Sequence, residues 1–159
     1  MEFYTIGVYN SSERTFFEKL TLNGIDVFCD IRQRRGVRGA KYSFVNSNRL
    51  QRRLNELEIK YAYIKDLAPT AEIRAYQKKS DSENGELKRE RQGLASVFVA
   101  EYKNKILENF DFDGLFESLG QIGANRVAFF CVEETADACH RSIVADKLQT
   151  DINFDVIHL

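Results

Sequence analysis

Apolar residues in this chain gather in short runs of the kind strands use, separated by stretches in which they recur every three to four positions, as on a helix face. Phe3 to Val8, rich in aromatic and β-branched residues, predicts a first strand. Asn10-Ser11-Ser12-Glu13 offers helix caps and an early acid, Phe16, Phe17 and Leu20 repeat at helical spacing, and Asn23-Gly24 supplies a left-handed stop. Ile25 to Ile31 predicts a second strand with a carboxylate, Asp30, near its end. A glycine-containing loop from Arg32 to Val45 follows, and Asn46 or Ser47 is placed to cap a helix bearing Leu50, Leu54 and Leu57 on one face and arginines on the other.

Lys60 to Ile64 predicts a third strand, closed off by Asp66 and by Pro69, the only proline, which a central strand does not admit. From Thr70 to Leu107 the pattern is helical, with the polar cluster Ser80 to Gly85 expected as an exposed loop. Asp113 to Ile122 predicts another helix, ending at Gly123. Arg126 to Val132 is apolar without alternation, as expected of a strand covered on both faces. Cys139-His140-Arg141 opens a last helix, and Phe154 to Leu159 reads as a final strand. Alternation of this kind predicts an α/β three-layer sandwich, a mainly parallel sheet flanked by helices, in one domain over 1–159. Ligands in such folds gather beyond the carboxyl ends of the strands.

Composition fits that picture. The 159 residues are 43% hydrophobic and 30% charged, with nine glycines, one proline and twelve phenylalanines, which excludes collagenous and low-complexity architectures. The amino-terminal segment lacks the basic region and cleavage site of a secretory signal, and the longest apolar run, Val127 to Val132, falls far below the roughly 18 residues a membrane helix needs. A cytoplasmic protein with no membrane partner is expected, with Cys29, Cys131 and Cys139 as reduced thiols. The net charge of −1 hides an asymmetry. From Arg32 to Asn55 stand eight basic residues (Arg32, Arg34, Arg35, Arg38, Lys41, Arg49, Arg52, Arg53) and no acid, so the remaining chain carries 15 basic against 24 acidic residues. Such a segment predicts local attraction for a phosphate-containing ligand or nucleic acid, with Tyr42 and Phe44 available to stack on a base.

The candidate chemistry falls at strand ends. Gly7 permits a tight turn and Asn10 stands at a pocket edge. Asp30 and Arg32, two apart on an extended backbone, share a side; they form either a structural ion pair or an anion fork with Asp30 as its support or as a base. Arg34, Arg35 and Arg38 are expected around the same mouth. Glu133, ending the buried strand, is a candidate general base. Cys139, at a helix N-terminus beside Arg141, has the setting of a low-pKa thiol, His140 is placed to move a proton, and Arg141 to hold an anion. No metal site is assigned, because Cys131, Cys139 and His140 lack paired Cys-x-x-Cys spacing and a clear fourth ligand. A phosphatase-type cysteine, five residues and arginine is absent, since Asp137 and Ala145 occupy the sixth positions after Cys131 and Cys139. No P-loop or dinucleotide fingerprint names a cofactor, and oligomeric state is not specified.

Taken together, Tyr4-Thr5-Ile6-Gly7 with Asn10, Asp30-Ile31-Arg32, Phe129-Phe130-Cys131-Val132-Glu133 and Cys139-His140-Arg141-Ser142 resemble the family called domain of unknown function 488, over nearly the whole chain. The Cys-x-Glu followed by Cys-His-Arg is the specific part. The resemblance implies the fold and the place of the site, and no reaction. Three function classes remain: an enzyme acting on a nucleotide or nucleic-acid substituent, with arginines on phosphate and Glu133 or Asp30 carrying a proton; a non-catalytic phosphate or nucleic-acid binding module; and a structural interaction protein with an exposed apolar face. The first two are expected over the third.

Overall fold

The protein, in a computed structural model, is described over residues 1–87 and 90–159; residues 88 and 89, within the stretch expected to be helical from Thr70 to Leu107, lie outside the described residues. In chain order the elements are β1 (Glu2–Ile6), α1 (Glu13–Leu22), β2 (Val27–Asp30), α2 (Ser47–Glu56), β3 (Lys60–Tyr63), α3 (Ala71–Asn84), α4 (Ser96–Tyr102), α5 (Phe112–Gln121), β4 (Arg126–Phe130), α6 (His140–Thr150) and β5 (Val156–His158). The strands form one sheet in the order β3-β2-β4-β1-β5, and every pairing is parallel.

Side chains on successive strand residues point to opposite faces, and this period divides the core in two. Phe3, Val27, Cys29, Val127 and Phe129 pack with Ile73, Phe98, Leu115 and Leu148, so α3 to α6 cover one face. Tyr4, Ile6, Phe28, Ala128 and Phe130 pack with Phe16, Leu20, Leu50 and Leu54, so α1 and α2 cover the other. Right-handed crossovers account for the division. The chain moves one way along the sheet from β1 through β2 to β3, placing α1 and α2 on one face, then reverses through β4 to β5 and places its later helices opposite. Because β1 and β4 are neighbours whose connections depart in opposite directions, their carboxyl ends open a crevice of the type that holds ligands in α/β sheets.

The local chemistry explains most boundaries. The Ser12 hydroxyl caps α1 by accepting from the Thr15 amide at 3.1 Å, and Thr70 does the same for α3 through Ile73. Asn46 precedes α2 without capping it, its side chain instead accepting from the Val37 amide at 2.7 Å. One expectation is corrected. Ser80 to Asn84 is the last turn of α3 rather than a loop, and the chain turns only at Gly85, which has φ +65°. Gln77 donates to Asp81 at 2.6 Å and Lys79 approaches Glu83, so polar residues brace this exposed turn where no apolar spacing marks it. No helix among the described residues is long and apolar enough to cross a membrane.

Candidate functional site

At the carboxyl end of β2 the Asp30 carboxylate is wholly buried and collects four donors. Arg32 supplies its backbone N–H at 3.1 Å, Nε at 2.9 Å and Nη2 at 2.7 Å, and the Tyr61 hydroxyl reaches across from β3 at 2.9 Å. Burial pushes the Tyr61 phenol up to about 12, with the Asp30 charge adding to the effect against Arg35, so Tyr61 stays a proton donor. Arg32 also donates to the Val45 carbonyl at 3.0 Å and lies over the Phe130 ring at 4.6 Å. The pair is therefore a buried fork, and it ties the start of the basic loop to the end of that loop.

Beyond β4 the chain turns through Cys131-Val132-Glu133, and Gly7 makes the turn compatible with β1. A Cβ at position 7 would lie 1.9 Å from the Glu133 carbonyl oxygen. Val8 and Tyr9 donate their amides to Val132 O, and Asn10 donates to the Glu134 carboxylate from a backbone with φ +61°. Arg141 fastens the same turn from α6, with Nη1 to Glu133 O at 2.5 Å and Nη2 to Glu134 O at 2.7 Å. A residue that sequence reasoning missed closes the turn from outside. Arg91 is buried, donates to Asp81 at 2.8 Å, reaches Glu133 at 3.3 Å, and donates to Ala138 O.

Cys139 stands immediately before α6 in extended conformation, so Cys139 and His140 face back towards β4. The Sγ atoms of Cys131 and Cys139 each lie 3.7 Å from His140 Nδ1, while His140 Nε2 lies 2.9 Å from Ile31 O. A carbonyl only accepts, so Nε2 carries a proton and donates it to Ile31 O, while Nδ1 faces the two sulfurs. All three residues are buried. Burial opposes ionisation of Cys139, but the Cys131 thiol, His140 and Arg141 together hold it well below the ordinary thiol range. Hydrogen bonding to Cys139 and then burial push Cys131 the other way. Cys29, buried beside Asp30 among the residues of the opposite face, is pushed up to about 12, first by burial, and is an unreactive thiol.

A family model, Domain of unknown function DUF488, matches residues 12–148. The chain belongs to the DUF488 family. No curated protein and no solved structure matches it. The match to DUF488 takes in Asp30, Arg32, Glu133, Cys139, His140 and Arg141 and leaves out β1 with Gly7 and Asn10. In this DUF488 chain those six residues are brought together and buried, while Arg34 and Arg38 are exposed and Arg35 is half-buried, its guanidinium 4.3 Å over Tyr63. Tyr42 and Phe44, expected to stack on a base, are instead core residues at 3% exposure each, Phe44 packed with Phe16 and Phe17 and Tyr42 with Tyr9 and Phe44. A groove of about 450 Å³ opens where the segments leaving β1 and β2 meet, lined in part by Asn10, Ser11, Ser12, Lys41, Ser43 and Arg49. Tyr102, a second residue missed from sequence, backs the thiol cluster with its ring 5.5 Å from His140 and its hydroxyl donating to Leu67 O at 2.6 Å. Neither Arg91 nor Tyr102 carries a local signal, since each reaches the cluster from the irregular stretch between β3 and β4.

Proposed function

We propose that the protein is a phosphate-binding module whose ligand is a nucleotide or a nucleic acid, held on the basic face around the groove. The observation that carries this reading is the contrast in exposure within one acid-free segment. Arg32 is spent on Asp30, whereas Arg34, Arg38, Lys41 and Arg49 remain at the surface where the chain leaves the carboxyl ends of β1 and β2. Arg49 makes an exposed pair with Glu13 at 2.6 Å, the kind of contact a phosphate displaces at little cost. Binding is supported over catalysis because Asp30, Glu133, Cys139 and His140 are all buried. With Tyr42 and Phe44 in the core, affinity follows the number of phosphates and hardly depends on the base.

The test is a salt series with single-stranded DNA, RNA and mononucleotides on the native protein and on a triple variant, Arg34→Gln, Arg38→Gln and Lys41→Gln. Three or four phosphate contacts give log K a slope of about −2 to −3 against log salt for a single strand. The variant is expected to lose most of that slope while keeping its thermal stability. Equal binding by the variant, or none by either protein at low salt, overturns the reading, and a small carboxylate is then the next anion to try.

A further inference from the structure

The geometry points to a metal site at Cys131, Cys139 and His140 that takes one zinc-class divalent ion. The three donor atoms lie within 4.8 Å of one another, and each sulfur stands 3.7 Å from Nδ1. A tetrahedral zinc ion with ordinary bond lengths would space a thiolate sulfur and an imidazole nitrogen about 3.6 Å apart. Each sulfur thus already stands at the separation from Nδ1 that the ion requires, although the sequence spacing does not announce it. Cys131 comes from the end of β4 and Cys139-His140 from the start of α6, so the pattern is assembled by the turn between them.

The imidazole is oriented as a ligand. Nε2–H donates to Ile31 O, the outer contact that metal-bound histidines make, and this leaves the Nδ1 lone pair for the ion. Two sulfurs and one imidazole select zinc-like ions over magnesium or calcium, which take oxygen. Two thiolates also neutralise a divalent charge, which suits three buried donors. On binding, both sulfurs coordinate as thiolates, each giving a lone pair to the ion, the proton still held on Cys131 passes to solvent, and no electrons are transferred. Three protein donors leave a fourth position for a water or one further donor atom. The inference does not rest on the basic face, which lies on other residues.

The test is titration of the reduced native protein with Co²⁺, followed by displacement with Zn²⁺. Expected are one ion per chain, thiolate-to-cobalt charge-transfer absorption with the intensity of two sulfur ligands, and loss of that absorption as Zn²⁺ replaces Co²⁺. Cys131→Ser and Cys139→Ser each lower the affinity at least tenfold with one sulfur ligand remaining, whereas Cys29→Ser changes neither number. If a serine variant does not fold, the two-sulfur intensity of the native protein decides the matter, because Cys29 lies on the opposite face of the sheet. Folded, reduced native protein without a charge-transfer band, or a band that Cys131→Ser and Cys139→Ser leave intact, overturns the site. Phosphate binding that survives while cobalt binding fails separates this result from the function proposed above.

Discussion

Gly7 shows how much of the site depends on one missing methyl. A Cβ there meets a backbone oxygen rather than a yielding side chain, so Gly7→Ala must move the Glu133 carbonyl that Arg141 fastens. The expected cost is about 1–3 kcal/mol, read as a lower urea midpoint with an unchanged slope. Asp30 is a stronger case. Asp30→Asn leaves Arg32 buried without its counter-ion and is expected to cost about 3–5 kcal/mol, against about 1 kcal/mol for Tyr61→Phe, which removes one donor of four. Equal losses in the two variants would show that the ion pair does not secure the basic loop. This pairing was legible in sequence because two residues apart in a strand share a side. The arginine that closes over Glu133 was not, since Arg91 lies 42 positions from its partner and belongs to no periodic pattern.

Among the elements, strands and caps were the readable part and polar helix ends were not. All five strand predictions fall in one parallel sheet, because apolar β-branched runs have few other places to go. The end of α3 was hidden because Ser80, Asp81, Ser82, Glu83 and Asn84 have the composition of a loop, and the contacts that brace them as a helix, Gln77 and Arg91 to Asp81 and Lys79 to Glu83, are all between polar side chains. Its closure makes a definite expectation. Glu86 donates its amide to Asp81 O at 2.8 Å and Gly85 to Ser82 O, a pairing that needs the left-handed glycine. The Glu86 amide is therefore expected to be protected in native-state hydrogen exchange, and Gly85→Ala to abolish that protection at a cost of about 1–2 kcal/mol. Exchange of Glu86 at the free-peptide rate would return the segment to a loop. Ser12→Ala, which removes the α1 cap, is expected to cost about 1 kcal/mol by the same denaturation measurement.

For the molecule as a whole, the fold and the location of the polar cluster followed from strand–helix alternation, but the partition between buried and exposed arginines did not. Exposure depends on which way a loop folds back, and Tyr42 and Phe44 drew theirs into the core. One pH effect is expected at this scale. Burial, and then the Arg141 charge, lower the pKa of His158 on β5, so the unfolded chain takes up this proton more readily than the native state. His158 thus contributes nothing against unfolding at pH 8 and subtracts stability as pH falls through about 6.5. Thermal melts at pH 7.5 and 5.5 check it. The native protein should lose more stability between them than His158→Gln, and equal losses would remove His158 from the account. The pairing of β5 with β1 has a mechanical side as well. These neighbours run parallel, with Phe3 opposite Val156 and Thr5 opposite His158, so a pull applied at residues 2 and 159 slides the two strands lengthwise past each other. Their cross-strand bonds lie across the force and share the load in shear instead of parting one after another, and a molecule stretched from those two points should give way at one abrupt force peak.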